Sequence, residues 1–571
     1  MKFGNLIINP AKNPAVLDTG TWDCSKACSM ISAVNERFWT SVSKTSRQTD
    51  RVLPEGRLTA YAGSAAQHRE NLLFLLSLND GQHIFAELGK ENRPVILAEP
   101  VGSRSFKDGG RLAVYPTDAA TVERYVSVIR LDKNPRALGT TPRLGIGSRM
   151  TTAAWPGVWR AMNKSGFRAN PIQNSVREVN LLDEVLAAQP PRSNYMANFG
   201  RVPEGHAGST FEGLWVAGVL EALKADSSPE FGADADHITI RRGDADINRA
   251  RKVIESARYY TFFTLDVSDL LDYEAMNADS EAEAEDYMAR QVGRSAAQGE
   301  LTTYHNQQSK LDKSQVGRLI GKYWSALDAV EQLAKHIEDV RDGKPFDLEL
   351  SIDETPAGID TFDCLTSEDE LSFLANEIRR RHIPVTHVAP NFGVEKELDY
   401  RGPDGLAGLQ KRVRGLVDVS REFGIMLDCH SGDDLKPATR RAIGRATQGH
   451  IHFKISPALQ IIFAETLNDV MPGRFRFWWD DTLDYARREA EAGSDFAAEC
   501  LRKYNAADDQ QPSPEHAVFH YYNFASVGKR DERGQFVHRE KFYDLPAEFY
   551  GEYQNRICNY LCEVAADVQI S

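Results

Sequence analysis

Two stretches, Asp428-Cys429-His430-Ser431-Gly432-Asp433 and Gly449-His450-Ile451-His452-Phe453-Lys454, turn abruptly from short apolar runs to His, Asp, Ser or Lys. A buried parallel strand has that texture where its carboxyl end opens into an active site. Two strand-end imidazoles on neighbouring strands make a candidate metal site, and His237, directly after Asp236, supplies a third. Three imidazoles with an oxygen ligand suit zinc, manganese, nickel or cobalt, and leave positions open for substrate oxygens. His450 and His452 share a strand face, because side chains alternate with period two. His452 is the one nearer the carboxyl end, with Lys454 on its face. The expected metal ligands are therefore His237, His430 and His452.

Carboxylates beside such a metal can move protons. Asp236 and Glu354 are the expected general base and acid, with Asp353 and Asp266 as competitors. Arg149, Arg177 and Lys454 are the expected anion contacts, since an Arg fork matches a carboxylate in bidentate geometry. Gln173, Asp266, Asn391, Ser431 and Asp433 complete the polar set expected around a substrate, and Lys454 is also placed among the catalytic groups. No Gly-x-Gly-x-x-Gly opens a helix after a strand, and no Walker loop or nucleophile elbow is present.

These residues need strands to hold them. Eight candidate strands follow Pro142: 144–147, 166–169, 237–240, 260–265, 346–352, 384–389, 424–427 and 450–453. Helix-like stretches separate most of them; Glu368 to Arg381, with Leu371, Phe373, Leu374 and Ile378 on one side, is the clearest. The pattern predicts a TIM-like (β/α)8 barrel, and an open doubly wound sheet is the rarer alternative. Polar groups at nearly every strand end point to an enzyme. The third strand is the exception to the rule, because Asp236 and His237 open that run rather than end it.

The barrel is expected over residues 137–493, after an N-terminal α/β region at 1–136 and before a C-terminal extension at 494–571. An acidic, Ala-rich insertion at about 272–313 reads as an exposed helical excursion or a homo-oligomer contact in preference to a lid. The extension carries an aromatic run, Phe519-His520-Tyr521-Tyr522-Asn523-Phe524, that either folds over the barrel mouth or packs outside it.

A net charge of −14 over 571 residues argues against nucleic acid, though a local Arg or Lys cluster can still bind an anionic small molecule. No segment approaches the roughly 20 apolar residues that cross a bilayer, and the first residues lack a signal-peptide core. A soluble cytoplasmic protein with no membrane partner is expected. Seven cysteines fit reduced thiols. A zinc staple through Cys24, Cys28, Cys558 and Cys562 is the lesser reading, and buried free thiols the greater.

Seven segments together resemble the tagaturonate epimerase family, which interconverts the ketouronates tagaturonate and fructuronate. They are 144–149; Gln173 with 176–178; Phe231-Gly232-Ala233-Asp234-Ala235-Asp236-His237; 353–355; 388–392; His430-Ser431-Gly432-Asp433; and 450–454. The Ala-Asp-Ala-Asp-His and His-Ser-Gly elements are the most specific, and the chain reads as a divergent member. The resemblance implies a TIM-like barrel and a divalent metal surrounded by His237, His430 and His452, with Asp236 and Glu354 close by. It also implies inversion at carbon 4 of a sugar acid. The hydrogen there is not acidified by the ketone, so a retro-aldol route is expected. A base takes the 4-hydroxyl proton, the bond between carbons 3 and 4 breaks to an enediolate, and re-addition inverts the centre. A metal-dependent aldolase or keto-aldose isomerase acting on another sugar acid would use the same site, and a silent sugar-acid-binding barrel would need none of these residues together.

Overall fold

The computed structural model describes residues 25–45, 58–78, 82–149, 152–187, 209–226, 229–293, 296–355, 359–396, 398–506, 510–532 and 536–570. Shorter described stretches lie at 2–3, 6–7, 50–52, 189–190, 192–196 and 200–207. Eight parallel strands close into a barrel: β1 (Arg143–Gly147), β2 (Arg168–Ser175), β3 (Phe231–Thr239), β4 (Phe262–Asp266), β5 (Asp347–Ser351), β6 (His387–Ala389), β7 (Met426–Cys429) and β8 (His452–Ile455). β8 pairs back onto β1 through His452 opposite Arg143 and Lys454 opposite Gly145.

Alternation explains why these segments become strands. Their apolar residues, among them Leu144, Ile146, Ala233, Ala235, Phe263, Leu348, Leu427 and Phe453, are buried in the main hydrophobic core. The intervening positions face inward and touch across the barrel. Most TIM barrels fill that interior with Val, Ile and Leu. Here Arg143 lies 3.0 Å from Asp347 and 2.9 Å from His387, with Phe262 and His452 beside them and Lys454, Glu349 and Asp428 above. The barrel core is a polar column.

An outer ring of helices follows the strands: α1 (Trp155–Ser165), α2 (Phe211–Lys224), α3 (Asp244–Ser256), α4 (Lys313–Arg341), α5 (Glu368–Arg380), α6 (Gly405–Glu422), α7 (Pro437–Thr447) and α8 (Pro457–Val470). Local chemistry marks their ends. Asp312 with Gln315 and Ser367 with Glu370 form reciprocal caps at the starts of α4 and α5. Proline opens α7 and α8, where its missing N–H costs nothing. α1 stops at Gly166, whose φ of 75° suits a residue without a Cβ.

The insertion forms two helices, Glu281–Val292 and Ala296–Ser309, that pack on α4 and α5. His305 is fully buried there, 2.9 Å from Glu377 of α5. The N-terminal region is an antiparallel sheet covered on one side by helices Ser25–Ala33 and Glu36–Thr45. Its strand Asn71–Leu78 serves two cores by period two: Leu73 and Leu75 join the barrel core, while Leu72, Phe74 and Leu76 join a second one under the helices. The region is thus continuous with the barrel rather than set apart from it. Cys28 packs in that second core and Cys558 in the barrel core; Cys24 lies outside the described residues.

The C-terminal extension is helical and ends in Ala547–Asp567, which lies against α1, α7 and α8. The approach is close: a Cβ on Gly157 would stand 2.6 Å from the Gln554 carbonyl, and one on Gly444 2.7 Å from that of Asp567. Among the described residues, no helix is long and apolar enough to cross a membrane.

Candidate active site

The site begins with an irregularity in β3. This strand starts at Phe231, six residues earlier than the sequence suggested, so Asp236 and His237 lie towards its carboxyl end after all. Two neighbours on a regular strand point to opposite faces. The pairing of β3 with β4 shifts between Ala235 and Ile238, and His237 takes a left-handed φ of 50°. That bulge allows both side chains to reach one cavity at the barrel mouth. Backbone strain of this kind persists where the surroundings over-determine it, commonly at functional sites. Ser431, with φ 55°, turns the chain in the same way after His430.

His237 and His430 meet at the mouth with ring centroids 4.5 Å apart. Their nitrogens and a carboxylate oxygen of Asp236 lie close enough together to hold one metal ion, and His237, Asp266 and Glu354 form a second such trio. His430 has Glu349 2.7 Å from Nε2 and Asp353 3.0 Å from Nδ1. Burial opposes charge on this ring, but the two carboxylates outweigh it and raise its pKa well above the imidazole range. The surroundings therefore favour positive charge on or beside His430, which a proton or a divalent cation satisfies. His237 Nδ1 is buried without a hydrogen-bond partner, as a metal-ligating nitrogen would be. The donor set of imidazole and carboxylate fits the expected metals.

His452 departs from expectation. β8 starts at His452 instead of ending near it, so this ring sits one layer deeper in the barrel, fully buried, 2.7 Å from Asp428. It groups with Glu349 and Asp428, not with His237 and His430. Burial and the charge of Arg143 hold it neutral.

Lys454 links the two layers. Its ammonium lies 2.8 Å from Asp236, 2.7 Å from Glu349, 3.3 Å from Asp234 and 3.7 Å from Asp428, and donates to Thr264 at 2.8 Å. Burial disfavours that charge, yet Asp234, Asp236, Glu349 and Asp428 together raise the pKa well above the ordinary lysine value. The carboxylates divide. Burial pushes Asp234 and Asp428 well up, towards the neutral acid. On Asp236 burial is outweighed by His237, Lys454 and His430, and on Glu349 by Lys454 and His430, so both are held ionised.

Glu354 and Asp266 flank His237 from behind. Arg177 donates to Glu354 at 3.1 Å and to Asp266 at 2.9 Å, and Lys396 also binds Glu354. Burial works against the charge on Glu354, but Arg177, Lys396 and His237 keep its carboxyl well below the usual range. Arg177 is thus taken up in holding carboxylates. Arg149 enters the cavity from the loop after β1, with Nε 2.6 Å from Glu178. Gln173 and Ser431 line the same cavity. Asp433 also lines it, while its carboxylate accepts the N–H groups of Ser456 and Ala458 at 3.0 and 2.7 Å and so caps α8. Asn391 does not line the cavity: its amide nitrogen donates to the carbonyls of Thr361 and Cys364, holding a loop.

Sequence reasoning missed Lys396, Glu178 and Gln460 in the cavity lining; His520, Tyr521, Asn523 and Phe524 also line it, in keeping with the first of the two alternatives for the aromatic run. It also missed Asp234, Glu349 and Asp428. The alternation of small and acidic residues in Gly232-Ala233-Asp234-Ala235-Asp236 and in Asp347-Leu348-Glu349-Leu350 was the available signal, since it marks an inward polar face.

Residues 207–468 match the model of a family described as tagaturonate epimerase, a span holding six of the eight barrel strands, β3 to β8. Two similar solved structures are the fructuronate-tagaturonate epimerase UxaE of Cohnella laeviribosi complexed with one glycerol and in its native form. The first is 18% identical, covering 94% of this chain and 100% of that one, with a TM-score of 0.65. The native form is 19% identical over 94% and 100%, with a TM-score of 0.64. At that identity the likeness establishes the fold, including the regions that flank the barrel. Comparison with curated proteins gives no match. The chain therefore matches the tagaturonate epimerase family over residues 207–468, within a fold shared with the Cohnella laeviribosi enzyme.

Proposed function

We propose that the protein is a metal-dependent sugar-acid epimerase that interconverts tagaturonate and fructuronate, or a related ketouronate, by inversion at carbon 4. The observation that carries this reading is the convergence of Asp236, His237 and His430 at the carboxyl end of a barrel, six of whose eight strands lie within the match to that family. His237 and His430 with Asp236 would hold the metal, and His452, from the layer below, supports the carboxylates under it. A bound zinc, manganese, nickel or cobalt ion supplies Lewis acidity towards the ketone and neighbouring oxygens of the substrate.

The side chains do the rest. Asp236, ionised and lining the cavity, takes the proton of the 4-hydroxyl, with Glu354 as the competing base. Cleavage between carbons 3 and 4 leaves an aldehyde fragment and an enediolate, whose charge develops beside the Lys454 ammonium. Lys454 is already surrounded by carboxylates, so the substrate carboxylate falls to Arg149. Rotation of the aldehyde and re-addition from its other face then invert carbon 4, and the base returns its proton.

The test is turnover of metal-stripped protein, re-supplied with zinc, manganese, nickel or cobalt, on tagaturonate and fructuronate followed by NMR. Metal-dependent interconversion that is lost in His430→Ala supports the proposal. Accumulation of a free aldehyde fragment would identify an aldolase instead. Turnover that is indifferent to metal would overturn the metal-dependent route.

A further inference from the structure

Resting on the reading above, we propose that the C-terminal extension supplies the substrate-carboxylate end of the pocket, with His520 and Tyr521 binding the sugar acid beside Arg149.

The cavity wall has two parts of different character. At the strand ends stand His237, His430, Asp236 and Lys454; a further part of the wall is made by His520, Tyr521, Asn523 and Phe524, from the segment of helices Ala517–Tyr522 and Phe524–Val527. The cations of the first part are taken: Lys454 by Asp236 and Glu349, Arg177 by Asp266 and Glu354, Lys396 by Glu354. Arg149 differs. Its Nε faces Glu178, while its two terminal amino groups have no hydrogen-bond or ion-pair partner among the described residues. Those groups form the edge that recognises a carboxylate in bidentate fashion.

The extension brings no acidic side chain to the cavity among the described residues. Burial, and after it the charge of Arg149, lowers the His520 pKa to about 4, so a neutral imidazole stands near the guanidinium at neutral pH. Burial raises the Tyr521 hydroxyl to about 12, which keeps it a neutral donor. Neither group competes with a substrate anion for Arg149, as an acidic residue would, and both can hydrogen-bond a carboxylate or its neighbouring hydroxyl.

The wall is also rigid. Asn523 donates to the carbonyls of Phe519 and His520 at 2.9 and 3.0 Å and accepts from Gln460 of α8, and Trp478 donates to its carbonyl at 2.8 Å. The helix that follows β8 therefore fixes the segment that carries His520 and Tyr521, so that both parts of the wall share one frame.

The test compares metal-loaded wild type with His520→Ala, His520→Asn and Tyr521→Phe, using calorimetric titration with fructuronate and steady-state epimerisation. Tyr521→Phe removes one oxygen, and circular dichroism melts check that each variant folds. The expected result is about a tenfold or larger rise in Kd and KM for His520→Ala and Tyr521→Phe, a smaller rise for His520→Asn, kcat within about threefold, and unchanged metal affinity. Folded variants whose Kd and KM stay within about twofold of wild type overturn the proposal. The two readings separate. A wild type that binds fructuronate without turning it over, with binding weakened in the variants, sinks the reaction and keeps the subsite. An active wild type with unaffected variants does the reverse. A wild type that neither binds nor converts fructuronate sinks both.

Discussion

At Gly145 a Cβ would stand 2.5 Å from Gln173 Oε1, 2.7 Å from Lys454 Cγ and 3.0 Å from His452 Nε2. The missing side chain is what lets Lys454 cross the barrel from β8 to its carboxylates. Gly145→Ala should therefore displace Lys454 and Gln173, lowering kcat about tenfold or more and costing about 1–3 kcal/mol of stability, read from steady-state rates and urea unfolding. Unchanged rates would show that Lys454 is not held by this packing. Lys454 itself, 3% exposed, is the only cation whose ammonium reaches both Asp236 and Glu349 among the described residues. Lys454→Met keeps the length and removes the charge, leaving the buried carboxylates only the His237 and His430 rings as counter-charge. Breaking one side of such a cluster costs roughly 3–5 kcal/mol, so the metal-free variant should unfold at clearly lower denaturant than wild type. A melt that does not move would mean the carboxylates simply take up protons.

Between elements, Glu377 is the clasp that ties the insertion to the barrel. From α5 it binds His305 of the insertion at 2.9 Å and Arg380 at 2.6 and 2.8 Å. Burial would push its carboxyl up, but these hydrogen bonds outweigh it and hold the pKa at about 2, below the 4.5 of an unfolded glutamate. A depressed folded value means stability that is present above about pH 4.5 and lost as pH falls towards 2, with an upper bound of roughly 3 kcal/mol. Glu377→Gln should be less stable at pH 7 and lose less between pH 4.5 and 3, as urea midpoints would show; parallel curves for the two proteins would refute the clasp. The element scale is also where the sequence was most and least legible. All eight strands were expected in order, because each outer face is apolar and each end polar. Their ends were not. β3 was begun six residues late, because Asp234 and Asp236 look like loop residues until the barrel interior is known to be charged. β8 was begun two residues early for the complementary reason, and His452 was raised to a mouth that only Lys454 approaches. Period two locates a face but not a depth along the axis, and depth decides which histidines share a ligand sphere. The bulge at His237 left no mark in sequence, since a left-handed histidine arises from tertiary contacts. The C-terminal wall was half legible: the aromatic run at 519–524 was open to the mouth or the outside, and only the closed molecule places His520 in the cavity with Arg149.

As a whole, the molecule is stitched by its two ends. The antiparallel sheet of the N-terminal region shares a core with the barrel, and the last helix, Ala547–Asp567, seals the ring beside α1, α7 and α8. Arg440 of α7 meets Asp567 at 2.8 Å, and Tyr553 donates to the carbonyl of Leu459 at 3.0 Å. A chain that stops at Leu545 should therefore lose the cooperative unfolding of the barrel, not merely the pocket wall, and emerge insoluble or molten by circular dichroism and dye binding. A truncated chain with wild-type melting would show the extension to be an appendage. The same closure has a consequence in time. β1 ends its search for a partner only when β8 exists, and 309 residues separate Arg143 from His452. At ordinary rates of synthesis that interval is roughly 15–60 s, during which two open strand edges and a half-built charged column face water or a chaperone. The growing chain thus leaves the Asp236 carboxylate in water until Lys454, 218 residues further on, is made to pair with it.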